Sequence, residues 1–138
     1  MSSRSKARKR AVDALYAAEM RDEMATDLLE ATRSQVSDRQ NQDEIFDFAN
    51  ELVVGVLSNQ LEIDELLTTL AQNWTLDRMP ALDRAILRLA VFEIVHTSTP
   101  AEIAISEALA LASELSTDDS PAFINGVLAA VAATRKPI

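Results

Sequence analysis

The chain has 138 residues, a formal net charge of -9, 48% hydrophobic and 25% charged side chains, and no cysteine. That length fits a single domain able to bury about two-thirds of the surface its unfolded form exposes, and the composition is that of a globular protein. Disulfides and thiolate metal sites are excluded, no apolar run has the length of a membrane span or a secretory core, and a soluble, cytoplasmic protein is expected.

With 2 Gly, 4 Pro and abundant Ala and Leu, the sequence reads as all-α, and its periodicity gives seven amphipathic helices. The first runs from about residue 4 to 23, with Ala11, Val12, Leu15 and Ala18 on its apolar side and Arg4 and Arg8 four apart on another face. A second, weaker helix starts near Thr26 or Asp27, and the polar stretch SQVSDRQNQ (34–42) reads as a connection. Asn41 followed by Glu44 resembles a capping box and opens the third helix, whose apolar positions are Ile45, Phe48, Ala49, Leu52 and Val56. The fourth covers roughly 60–72, and Pro80 interrupts the pattern in NWTLDRMP (73–80). The fifth, 81–97, is the most hydrophobic and is expected at the centre. TPAE (99–102) starts the sixth with Thr99 as cap and Pro100 at the first helical position, and Ser120 ahead of Pro121 starts the seventh in the same way. No linker interrupts the series, so residues 1–138 are read as one compact helical domain.

Nothing in the chain composes an active site. His96 is the sole histidine, no nucleophile elbow or phosphate-binding loop is present, and His96 reads as a polar residue at a helix C-terminus. Asp118 and Asp119 suit a helix start better than a metal or a carboxylate pair, and Glu102 and Glu107 are badly spaced for one face. The expectation is a protein without catalytic activity, metal or cofactor.

The charge is unevenly placed. Residues 1–10 contain five cations (Arg4, Lys6, Arg8, Lys9 and Arg10) and no acid, whereas residues 11–138 hold 8 basic and 22 acidic side chains, a net of -14. Such a segment can be a solvated tail, but here it runs into a helix with an apolar stripe. Anionic lipid fits poorly, because Val12 and Leu15 are needed for the core and the acidic remainder is repelled. Nucleic acid fits better: the cations bind phosphates, the acidic body discourages nonspecific coating, and Tyr16 nearby suits unpaired bases.

ARKRAVDALYAAE (7–19), LDRAILRLAVFEI (82–94) and AISEALALASELSTDDSPAFINGVL (104–128) together resemble the NusB family of transcription antitermination factors. NWTLDRMPALDRAILR (73–88) is similar to actinobacterial members, while residues 24–40 depart freely. The resemblance implies an all-α fold of two helical bundles and binding of single-stranded boxA RNA in nascent ribosomal RNA transcripts. It also implies partnership with NusE, a small-subunit ribosomal protein, within the RNA polymerase antitermination complex, as monomer or homodimer.

Carried over residue by residue, Arg4, Lys6, Arg8, Lys9 and Arg10 match the family's arginine-rich RNA-binding motif, and Asp119, Phe123 and Asn125 fall where it contacts RNA. Tyr16 and Asp83 match positions on the NusE side. Other readings stand beside these: Phe123 as core, Asn125 as a loop hydrogen-bonding group, Tyr16 as a rim of the core and Asp83 as a first-turn acid. Gly126, in mid-helix, suggests close helix approach. Two other functions are distinguishable. One is a NusB-like domain related to ribosomal RNA cytosine methyltransferases, of which this chain lacks the cofactor-binding part. The other is an acidic protein–protein module whose basic end is only a tail.

Overall fold

The structure, a computed structural model, describes residues 2–36, 42–71 and 74–135. Among these residues the regular elements are α1 (Ser3–Arg21), α2 (Ala25–Gln35), α3 (Gln42–Ser58), α4 (Gln60–Leu70), a 3₁₀ turn (Leu76–Arg78), α5 (Ala81–His96), α6 (Ala101–Leu115) and α7 (Ser120–Thr134). The all-α reading and its seven helices hold. The connection expected at 34–42 is shorter, because α2 continues through Gln35 and α3 has begun by Gln42. Asn41, read as the cap of α3, lies outside the described residues. The chain divides into two compact units, Met1–Ser58 and Asn59–Ile138.

In the first unit α1 begins at Ser2, whose hydroxyl accepts the Ser5 amide N–H at 3.1 Å and satisfies one of the helix's orphan donors. It ends at Asp22, which takes the left-handed conformation (φ 55°) a short polar side chain tolerates. The Asp22 and Glu23 amides both donate to the Ala18 carbonyl, closing the helix end. The three helices pack against one another. The buried apolar positions of α1 are small (Ala7, Ala11, Val12, Ala14), and α3 supplies the bulk through Ile45, Phe46, Leu52, Val53 and Val56. Leu15 and Ala18 are only half-buried.

In the second unit α5 packs against α4, α6 and α7. It buries Ala85, Ile86, Leu87, Leu89, Ala90, Val91 and Ile94, apolar on more than one side as a central helix must be. Arg88 grips Asp64 of α4 through two bonds of 2.8 and 3.0 Å. Arg84 donates to the Leu76 and Met79 carbonyls at 2.6 and 3.0 Å, tying the 3₁₀ turn to α5.

Two expected caps are corrected. α6 starts at Ala101 without a side-chain cap, and the Pro100 carbonyl accepts from the Ile103 and Ala104 amides instead. α7 starts at Ser120 itself, again without a side-chain cap, because the Ser120 hydroxyl is engaged elsewhere. Close helix approach at Gly126 is also corrected: a Cβ built there meets nothing within 4 Å.

Candidate nucleic-acid interface

The five cations of α1 divide by helical geometry. Arg4 and Arg8, four residues apart, share a face that meets Phe48 of α3. The Arg4 guanidinium lies 4.3 Å from the Phe48 ring centroid and that of Arg8, itself buried, lies 5.9 Å from it. Stacking on a ring uses the face of a guanidinium, so the exposed Arg4 can still offer N–H edges to an oxyanion. Lys6, Lys9 and Arg10 occupy the neighbouring face and line a concave cleft of about 410 Å³ with Asp13, Gln42 and Ile45. Arg10 also lies 5.1 Å from the Phe46 ring centroid. Arg33 sits near that ring too, at 5.9 Å, but is held by Asp43 and Asp47 at 2.9 Å each. Those hydrogen bonds, Asp43's first, raise its pKa above the ordinary value. The cleft thus gathers three cations against one acid on a protein of net charge -9.

The carried-over residues of α7 lie in the second unit. Asp119 is exposed at the start of the helix and Phe123 is half-buried one turn on, its amide donating to the Asp119 carbonyl at 3.3 Å. Asn125, two residues beyond, is exposed and projects from another side of α7, since two helical steps turn about 200°. Phe123 is not core packing alone. It meets Trp74 at 5.2 Å between ring centroids with the planes tilted by 47°. Trp74 itself is 43% exposed.

Asp83, matched above to the NusE side or read as a first-turn acid, is corrected to an interior charge. It is 1% exposed, and its two carboxylate oxygens accept from the hydroxyls of Ser116 (2.5 Å) and Ser120 (2.8 Å). Each hydroxyl has one proton, so the 3.0 Å approach of Ser116 to Ser120 is not a third bond, whereas Thr117 can donate to Ser120 at 2.9 Å. Asp83 therefore pins the turn between α6 and α7 to the first turn of α5. Tyr16 is exposed on α1, as is Met20 one turn later.

Sequence reasoning missed Phe46, Phe48 and Trp74. Phe48 had been read only as an apolar position of α3, and no local pattern links it to Arg4. His96 lies 3.1 Å from Glu62 and stacks near Phe92, an arrangement that joins α4 to α5. Among the described residues, no group of three or more metal-ligating side chains converges, and no helix is long and apolar enough to cross a membrane.

The model of the NusB family matches residues 5–133. The chain is 46% identical over 136 residues to a transcription antitermination protein NusB of Clavibacter michiganensis subsp. michiganensis, covering 98% of this chain and 99% of that one. It is 48% identical over 129 residues to the NusB of an Arthrobacter species, covering 93% and 91%. Among solved structures, NusB of T. maritima superposes with a TM-score of 0.86 at 29% identity, over 99% of this chain and 95% of that one. A complex of antitermination factors NusB and NusE with double-stranded RNA contains a chain of the same fold, with a TM-score of 0.83, 23% identity and coverage of 98% and 99%. Helix content, the order of the motifs and end-to-end likeness to these relatives agree: the chain belongs to the NusB family.

Proposed function

We propose that this protein is a transcription antitermination factor that binds boxA-type single-stranded RNA in nascent ribosomal RNA transcripts together with NusE, and so keeps RNA polymerase from terminating early. The observation that carries the reading is likeness over nearly the whole chain to relatives named as transcription antitermination proteins. The cation-lined cleft on α1 supplies the matching chemistry. The protein acts in the cytoplasm as a non-catalytic adaptor, and residues 1–138 work as one NusB-like domain. Arg4, Lys6, Lys9 and Arg10 engage phosphates while Arg8, buried beside Phe48, stays inside; Asp119, Phe123 and Asn125 contribute from the cap and first turns of α7, and exposed Tyr16 belongs to the NusE side. Asp83 is left to the α6–α7 turn. A solved assembly of NusB and NusE with double-stranded RNA, built on the same fold, supports NusE and RNA as the classes of partner.

The test is binding of a labelled boxA-type RNA by the purified protein, with and without NusE. Specific binding that NusE tightens is the expected result. Indifference to both RNA and NusE refutes the assignment.

A further inference from the structure

We propose that Trp74 and Phe123 form a stacking platform for an unpaired base of single-stranded RNA, with Trp74 presenting the outer face. The proposal rests on the RNA-binding reading above and adds to it a contact from outside α1 and α7. Trp74 keeps 43% of its surface in water although indole is among the most favourable side chains to bury. The ring contact it makes is with Phe123, at 5.2 Å and a 47° tilt, which steadies one side of the indole and leaves the rest open.

The surface beside the pair is also open. Phe123 and Gly126 are three residues apart on α7 and share a face. Glycine weakens a helix interior relative to alanine, and packing gives no reason for it here, since a Cβ at 126 meets nothing within 4 Å. A planar ligand can therefore approach α7 closely next to the rings. Nucleobases fit such a place, because every base has a π-face and aromatic stacking tolerates sequence. The platform complements the cations of α1, which bind phosphate but read no base.

Trp74 is the only tryptophan in the chain, so its fluorescence reports on this position alone. An end-labelled boxA-type oligoribonucleotide, followed by anisotropy, should quench Trp74 emission and shield it from acrylamide as it binds. Inorganic polyphosphate, anionic but without bases, should not. Trp74→Leu keeps apolar bulk without a π-face and should weaken RNA binding about five- to 150-fold at an unchanged salt slope. Trp74→Phe should restore most of that loss, and circular dichroism checks that both variants keep their helicity. The platform is overturned if the labelled RNA binds while Trp74 emission stays constant, if polyphosphate quenches equally, or if Trp74→Leu binds like the parent. In those cases RNA binding itself stands, whereas RNA that binds at no concentration overturns both that reading and the platform.

Discussion

Asp83 and Gly126 show how far a single residue's role depends on surroundings that its neighbours in sequence do not reveal. Asp83 reads as a first-turn acid or a NusE-side residue, yet its hydroxyl partners lie 33 and 37 residues away, beyond the reach of any helical period. Asp83→Ala removes two charge-assisted bonds and leaves Ser116 and Ser120 short of an acceptor, so unfolding stability should fall by about 3 kcal/mol. Urea titration checks this, and an unchanged midpoint would return Asp83 to the surface. Gly126 behaves oppositely. With open space at its Cβ, Gly126→Ala should raise stability by about 0.5–1 kcal/mol, visible as a higher melting temperature. A loss of stability there would mean that a neighbouring group fills the space beside Gly126.

At the scale of elements, the helices were legible because their signals are local. The apolar period of α5 and the i, i+4 spacing of Arg4 and Arg8 are written in adjacent turns. What held the arginines was not legible, since Phe48 belongs to another helix. The Ser120 pattern was read as a cap because local rules give a serine before proline that use, but the tertiary bond to Asp83 takes its hydroxyl. The α1–α3 contact makes a prediction of its own. Phe48→Leu retains apolar volume but removes the ring under Arg4 and Arg8, and RNA affinity should drop roughly two- to fivefold, the worth of an exposed cation–π contact. Filter binding or anisotropy reads the effect, and an affinity equal to the parent's would show that the ring does not help to hold the arginines for RNA.

On the scale of the whole molecule, charge is segregated: five cations and no acid in residues 1–10, against a net charge of -14 in the remainder. That asymmetry was visible in the sequence. The chain was also read as one domain without a linker, and its division into two compact units falls where α3 ends at Ser58 and α4 begins at Gln60. If residues 1–138 behave as one domain, thermal unfolding should be a single transition by circular dichroism and calorimetry, whereas two separated transitions would assign the units independent stability.

The central claim is that the basic face of α1 binds RNA phosphate, and the salt dependence of RNA affinity tests it most directly. For single strands the slope of log K against log salt is about -0.7 per phosphate neutralised, so three contacts from Lys6, Lys9 and Arg10 contribute about -2. Replacing Arg4, Lys6, Arg8, Lys9 and Arg10 together by Ala should weaken binding of a boxA-type RNA and flatten its slope by about 2 or more, with helicity retained. A five-Ala variant that binds as tightly as the parent at every salt concentration would contradict the account and leave the basic segment a tail.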